Sequence, residues 1–168
     1  MTALVSVPLR GSEKGWSWIG NGPARETNYM SDKFFVDTNI LLYAHDSTQG
    51  AKHERAQALL QTLWESGDGV LSTQVLQELC INLRRKSGRP PSIEETRKLI
   101  EDYSKWNMVV NTAESVLRAL DFESRYQISF WDALIVQAAT HCEAAIIYSE
   151  DMADGQTYGA VRVMNPLK

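Results

Sequence analysis

The chain has 168 residues, of which 43% are hydrophobic and 23% are charged, and its net charge is -4 at pH 7. These values indicate a globular protein that is long enough to bury a core, and they exclude a chain that is basic over its whole surface. A local basic patch that binds nucleic acid is still compatible with this total.

Residues 1–32 differ from the rest of the chain. They hold four of the ten glycines, and their apolar residues follow neither a helical nor a strand period. This pattern predicts a flexible N-terminal extension, followed by one domain over residues 33–168.

From residue 33 onwards, apolar segments of strand length alternate with amphipathic segments of helix length. In chain order they predict a strand over 33–37, helices over 38–45 and 51–65, a strand over 69–72, helices over 74–86 and 92–106, a strand over 108–110, helices over 112–125 and 131–141, and strands over 145–148 and 160–164. This alternation predicts an α/β fold, a three-layer α/β/α sandwich with a mainly parallel central sheet.

Local signals mark several of the helix ends. Gly67 follows the helix over 51–65 and suits a left-handed C-terminal cap. Ser92 and Glu95 have the spacing of a capping box at the start of the next helical segment, and Thr112 is a further N-terminal cap. These signals support the proposed division into elements.

Acidic residues stand where predicted strands end or where the following helices begin. Asp37 and Asp151 follow strands, Glu78 lies about one turn into a helix that follows a strand, and Asp132 lies in the first turn of its helix. Ligands bind beyond the carboxyl ends of the strands in parallel sheets, so we expect these carboxylates to converge. Converging carboxylates repel one another unless a cation lies between them. An all-oxygen ligand set favours Mg²⁺ or Mn²⁺ over zinc, which suits phosphodiester hydrolysis.

Each acidic residue also has a simpler interpretation. Asp37 could form an Asx turn after its strand, and Asp132 could serve only the helix dipole. Glu78 could be a solvated helix residue. Asp151 and Asp154 lie in a polar loop where either could form a turn, and Asp154 is the weaker candidate for the site.

Polar and basic residues near these positions are further candidates. Thr38 and Asn39 could hold the loop after the first strand or support the metal site. Ser72 could cap a helix or supply a hydroxyl at the edge of the site, and we favour the site. The basic residues that close one helix could serve its dipole or contact RNA phosphates; they are Arg84, Arg85, Lys86 and Arg89.

Neither the cysteines nor the apolar segments indicate export. Cys80 and Cys142 lie in largely apolar helical segments without zinc-ligand spacing, and we interpret them as small buried thiols. No apolar run has the length of a membrane span or the form of a signal peptide. We therefore expect a cytoplasmic protein without a membrane partner.

Four segments resemble the motifs of PIN-domain ribonucleases, in the order in which that family carries them. The segments are FFVDTNILLY at 34–43, LSTQVLQEL at 71–79, SFWDALI at 129–135 and YSEDM at 148–152. The resemblance covers about residues 33–168, and the sequences of the motifs are most similar to those of VapC-type toxins of toxin–antitoxin pairs.

This resemblance implies a Mg²⁺-dependent endoribonuclease that is inhibited by a cognate antitoxin and forms a homodimer. It assigns Asp37, Glu78, Asp132 and Asp151 as an acidic quartet, with Asp37 and Asp132 as the usual metal ligands. Either Thr38 or Ser149 would then be the polar residue that supports the metal.

Two other functions are compatible with parts of the pattern. A non-catalytic module that binds RNA or a protein partner could keep the same fold, although the complete acidic set argues against it. A phosphoryl-transfer signalling domain also groups acidic residues at strand ends, but the chain lacks the strand-end lysine and the phosphate-binding glycine loop.

Overall fold

The computed structural model describes residues 32–86 and 90–168, except for the side chain of Lys86. The N-terminal extension predicted for residues 1–32 therefore lies outside the described residues, apart from Asp32. Arg89 lies outside them as well.

Within the described residues, the core of the fold is a six-stranded sheet in the order β3-β2-β1-β4-β6-β5. Its strands are β1 (Lys33–Val36), β2 (Gly69–Ser72), β3 (Asn107–Val109), β4 (Ala144–Tyr148), β5 (Thr157–Tyr158) and β6 (Val161–Met164). All neighbouring strands run parallel except β5, which pairs with β6 in the antiparallel direction. The predicted mainly parallel α/β sheet is thus confirmed.

Helices connect the parallel strands and cover the sheet. They are α1 (Thr38–Ala44), α2 (Ala51–Ser66), α3 (Thr73–Lys86), α4 (Ile93–Tyr103), α5 (Ala113–Tyr126) and α6 (Phe130–His141), with a short 3₁₀ turn at Ser47–Gln49. Helix α1 packs against α2 and α3, and α3 packs against α4. Helix α5 packs against α6, which also contacts β4 and β6. This grouping agrees with the predicted three-layer sandwich.

The order of the parallel strands contains one reversal of direction. The chain moves outwards from β1 to β2 and β3, and then returns past β1 to form β4 on its other side. Because crossovers between parallel strands are almost always right-handed, a reversal of direction transfers the connecting helices to the opposite face of the sheet. A crevice opens between two strands at such a point, here beyond the carboxyl ends of β1 and β4.

The central strands are buried on both faces, as expected for a parallel sheet that helices cover. Phe35 and Val36 of β1, Leu71 of β2 and Ile147 of β4 are all fully buried. The buried side chains of β1 and β4 fix the two strands that border the crevice, so the residues that follow these strands have little freedom of position.

The predicted helix caps are present in the structure. Gly67 adopts a left-handed conformation with φ of 75° and ends α2. Ser92 and Glu95 form both hydrogen bonds of a capping box at the start of α4, and Thr112 caps α5. These local signals were therefore sufficient to place three helix ends.

Some predicted features need correction. Helix α4 ends at Tyr103 rather than near residue 106, because Trp106 turns inwards and packs against Trp64 and Tyr103. The two-residue strand β5 was not predicted, since so short a segment carries no periodic signal.

The cysteines are free but only half-buried, and burial raises the pKa of the Cys142 thiol.

No helix within residues 32–86 and 90–168 combines the length and the apolar character that a membrane span requires.

Gly69 offers a direct test of this packing. A Cβ atom added there would lie 2.1 Å from a ring carbon of Trp106. We expect Gly69→Ala to lower the free energy of unfolding by about 1–3 kcal/mol, the usual range for overpacking, in a denaturant titration. The loss should be smaller in a Trp106→Leu background, where space is available. Equal losses in both backgrounds would show that the ring is not the cause.

Candidate active site

A cleft of about 460 Å³ brings the predicted acidic residues together. It is lined by Asp37, Glu78, Asp132 and Asp151, and also by Asp46, which the sequence did not suggest. Among the described residues, neither lysine nor arginine contributes to its lining. The cleft therefore concentrates negative charge, and no lysine or arginine among the described residues of its walls offsets it.

Asp37 lies at the crevice between β1 and β4, and three donors hold its carboxylate. Its Oδ1 accepts a hydrogen bond from the backbone N–H of Thr38 at 2.6 Å, which caps α1. Its Oδ2 accepts from Asn39 Nδ2 at 2.8 Å and from Ser149 Oγ at 2.7 Å. The same carboxylate therefore caps a helix and lines the cleft, and its backbone partner is the N–H of the next residue rather than the N–H two residues on that an Asx turn uses.

Burial makes this carboxylate hard to ionise. Asp37 is only 9% exposed, and desolvation raises its pKa from the ordinary value of 3.8 to about 6. The hydrogen bonds from Ser149 and Thr38 oppose this rise in pKa, whereas the charges of Glu78 and Asp151 add to it. A cation bound beside Asp37 would reverse the balance by favouring its charged form.

Glu78 is held by one hydrogen bond to each carboxylate oxygen. Thr38 Oγ1 donates to Oε2 at 2.7 Å, and Gln74 Nε2 donates to Oε1 at 3.0 Å. Gln74 Nε2 also lies 3.3 Å from the carbonyl oxygen of Trp131, at the start of α6. Gln74 therefore connects the helix that carries Glu78 to the helix that carries Asp132.

Asp132 and Asp151 occupy the other parts of the cleft wall. Ser129 caps α6 by accepting a hydrogen bond from the backbone N–H of Asp132 at 3.1 Å, and its Oγ donates to Asp132 Oδ2 at 2.8 Å. Asp132 therefore does stand at a helix N-terminus, as its simpler interpretation required, but it also lines the cleft. Asp151 is exposed and is near enough to Asp37 to raise its pKa.

Asn39 and Ser149 join the segments that follow β1 and β4. Besides its bond to Asp37, Asn39 accepts a hydrogen bond from the backbone N–H of Glu150 at 3.2 Å. Ser149 is fully buried, and its Oγ accepts from the backbone N–H of Met152 at 3.2 Å. Both side chains were predicted as supporting residues, and both contact the Asp37 carboxylate.

Two predicted site residues do not line the cleft. Ser72 is fully buried, and its Oγ accepts a hydrogen bond from the N–H of Val75 at 3.4 Å, so it is a helix cap. The carboxylate of Asp154 accepts from the N–H of Asn165 and from Lys168 Nζ, both at 2.8 Å. The chain has turned back towards the end of β6 at this point, which takes Asp154 away from the site.

The predicted RNA-binding residues are only partly described. Arg84 and Arg85 are exposed near the end of α3, and neither lines the cleft. The side chain of Lys86 and all of Arg89 lie outside the described residues. Contact between this group and RNA therefore stays a prediction.

The sequence did not point to Gln74, Trp131 or His45 as cleft residues. Gln74 stands four residues before Glu78, a spacing at which helical side chains meet, so this partner could have been found. Trp131 was identified only as part of a motif. His45 Nε2 lies 2.8 Å from the hydroxyl of Tyr103, and burial lowers its pKa to about 3, which keeps the ring neutral at physiological pH.

The metal site stays a prediction. Within the described residues, no three side chains of His, Cys, Asp or Glu form a group that could hold a metal ion alone. Glu78 and Asp132 are instead hydrogen-bonded to polar side chains around them. The oxygen donors still fit Mg²⁺, which commonly takes one or two carboxylates and completes its shell with water and substrate phosphate. Buried Asp37 in an acidic cleft is such a donor.

Comparison with known proteins identifies the class of fold. The family model for the PIN domain matches residues 34–153, and the chain belongs to this family. The predicted resemblance to PIN-domain proteins is thereby confirmed. The matched segment contains all four predicted acidic residues, from Asp37 to Asp151.

Solved structures with the same fold include toxins and toxin–antitoxin complexes. VapC20 of Mycobacterium tuberculosis, described as a sarcin-ricin loop cleaving toxin, is 20% identical, with a TM-score of 0.58 over 71% of this chain and 90% of that chain. A toxin–antitoxin complex from Klebsiella pneumoniae is 18% identical, with a TM-score of 0.58 over 80% and 98% of the two chains.

VapBC2 from Rickettsia felis, bound to a promoter DNA fragment, is 18% identical, with a TM-score of 0.55 over 79% and 97% of the two chains. At these levels of identity the structures establish a shared fold. No curated protein sequence matches the chain significantly.

The raised pKa of Asp37 predicts how stability depends on pH. The unfolded chain releases this proton near pH 3.8 and the folded chain near pH 6, so the folded state holds the proton more tightly. The free energy of unfolding should therefore fall as the pH rises from 4 to 7, by about 2 kcal/mol from this residue when a chelator is present.

Denaturant titrations of Asp37→Asn should lack this component of the pH dependence. Asp121→Asn, an exposed substitution on α5, is the matched control and should follow the wild type. Mg²⁺ added at pH 7 should stabilise the wild type more than Asp37→Asn. Parallel pH curves for wild type and Asp37→Asn would contradict the assignment.

Proposed function

We propose that the protein is a divalent-metal-dependent endoribonuclease and the toxin of a toxin–antitoxin pair. The observation that carries this proposal is the gathering of five carboxylates in one cleft, where the described part of the chain places neither lysine nor arginine. Membership of the PIN domain family supports the nuclease, and the structures of toxin–antitoxin complexes with this fold support the biological role. The proposed nuclease domain covers residues 33–168.

Electrostatics explain why this cleft would need a cation. RNA carries a negative charge at each phosphate, and an acidic cleft repels it. Asp37 and Asp132 are the proposed ligands for Mg²⁺, with Mn²⁺ as an alternative, and Glu78 and Asp151 supply further negative charge around the ion. When bound, the metal would lower the pKa of a water molecule and stabilise charge on the phosphate.

The chain's own residues would keep these carboxylates in place. Ser149 and Asn39 hold the Asp37 carboxylate, while Thr38 and Gln74 hold that of Glu78. Ser129 fixes Asp132 at the start of α6. Geometry set before the substrate arrives reduces the reorganisation needed in the transition state, which is a major source of catalytic rate.

The proposal extends to partners and location. A cognate antitoxin would inhibit the enzyme by placing a C-terminal segment in the cleft. Two copies of the chain would form a homodimer, and the protein would act in the cytoplasm. Co-expression with the protein encoded by the adjacent gene, followed by size-exclusion chromatography with light scattering, tests the first two statements.

Cleavage assays on purified variants test the catalytic assignment. We expect Asp37→Asn and Asp132→Asn each to reduce Mg²⁺-dependent RNA cleavage by at least about 10²-fold, because each removes a charge that holds the metal. Asp121→Asn should cleave at the wild-type rate. Circular dichroism should show that all three variants remain folded. Cleavage by either site variant at the wild-type rate would refute these roles.

Cleavage-site mapping on total cellular RNA would then identify the substrate. Asp37→Asn serves as the control for contaminating nucleases, and a single-stranded DNA arm shows whether DNA is also cut. Tight RNA binding without turnover in both Mg²⁺ and Mn²⁺ would instead favour the non-catalytic binding module.

The exposed arginines of α3 yield a separate prediction about affinity. If Arg84 and Arg85 contact phosphates, changing each to Ala should weaken RNA binding and reduce the slope of log K against log salt by about one. Arg118→Ala on α5 is the control, because Arg118 pairs with Glu114 on its own helix. Binding curves at several salt concentrations decide the matter, and unchanged slopes for both α3 variants would exclude phosphate contact.

A further inference from the structure

Trp131 differs from the other large hydrophobic residues that the described part of the chain exposes. Eight such residues are present, and seven are aliphatic or Met: Ile81, Ile93, Val110, Val116, Leu117, Leu120 and Met164. None of these seven lines the cleft, whereas Trp131 does, with 61% of its surface exposed. Trp131 is thus a largely exposed aromatic residue at the wall of a cleft that five acidic residues line, together with other polar residues and with Leu42, Tyr43, Leu83 and Ile135.

The structure holds Trp131 in place. Its carbonyl oxygen lies 3.3 Å from Gln74 Nε2, which also binds Glu78. Its ring packs edge-on against Phe130, with the ring centres 5.7 Å apart and the planes at 68°. The indole is therefore supported from one side and next in sequence to Asp132, while most of its surface stays in contact with solvent.

We propose that the indole of Trp131 is a stacking platform for an unpaired base of the RNA substrate. This inference rests on the proposed function and adds the feature of the substrate that the cleft recognises. Aromatic side chains stack on any base, since every base has a π face, so the platform would position the strand rather than select its sequence. A base stacked on Trp131 would place a neighbouring phosphate beside Asp132.

The surroundings of Trp131 favour RNA over a protein partner. The centre of a protein interface is usually a contiguous apolar surface with few charges. Here the neighbouring residue is Asp132, four more acidic residues line the same cleft, and the exposed aliphatic side chains lie outside it. The proposed cation site beside a largely exposed indole suits a nucleotide, which carries both a phosphate and a base.

The test compares Trp131→Ala and Trp131→Phe with wild type in the full chain. With a short single-stranded RNA that the wild type cleaves, we expect Trp131→Ala to raise KM by about 5–150-fold with little change in kcat. This range corresponds to about 1–3 kcal/mol at about 1.4 kcal/mol per tenfold change. Trp131→Phe keeps a ring and should recover most of the affinity. Leu117→Ala, an equally exposed substitution outside the cleft, should have no effect.

Fluorescence gives a readout that does not depend on turnover. A non-cleavable analogue of the same RNA, added in the presence of Mg²⁺, should quench the tryptophan emission of the wild type more than that of Trp131→Phe, which retains the other four tryptophans. Equal quenching in the two proteins, or an unchanged KM in Trp131→Ala, would overturn the proposal. So would a Trp131→Ala variant that loses binding to the antitoxin but not to RNA.

The same experiments separate this proposal from the proposed function. If the wild type cleaves RNA and Trp131→Ala has the same KM, the nuclease assignment stands and the stacking proposal is refuted. If the wild type binds RNA through Trp131 but cleaves no RNA in Mg²⁺ or Mn²⁺, the stacking proposal is supported and the nuclease assignment is refuted.

Discussion

The buried carboxylate of Asp37 is the constraint on which the rest of the site depends. Three donors from the segments after β1 and β4 hold it, yet its burial still raises its pKa to about 6. Hydrogen bonds alone therefore do not offset the desolvation of this charge. A bound cation would offset this desolvation, and the acidic residues around Asp37 make the cleft attractive to a cation.

The reversal of strand order explains why the carboxylates share one cleft. It places the ends of β1 and β4 side by side, so Asp37 and Ser149 can bond directly although they are 112 positions apart. Helix α3 then brings Glu78 to Thr38, and Gln74 bonds to the start of α6. A small number of side-chain hydrogen bonds thus hold together the elements that form the cleft.

The sequence was informative wherever backbone rules decide position. Strand ends and helix starts located Asp37, Glu78, Asp132 and Asp151, because parallel strands deliver such residues to one edge. It was less informative for side-chain partners that only the fold brings together. The contact between Gln74 and Trp131 spans 57 positions and follows no local pattern. Asp154 has the same chemistry as Asp151, and only the path of the loop separates their roles.

The crowding of negative charge has an evolutionary consequence. Loss of an acid from the cleft removes repulsion and, at Asp37, also removes the burial of an ionised group, so inactivation can favour folding. Natural enzymes often show this opposition between activity and stability. If the activity harms the host, selection against toxicity and selection for a stable chain act in the same direction. We therefore expect spontaneous escape mutations to accumulate at these few positions, with well-folded, inactive proteins as the result.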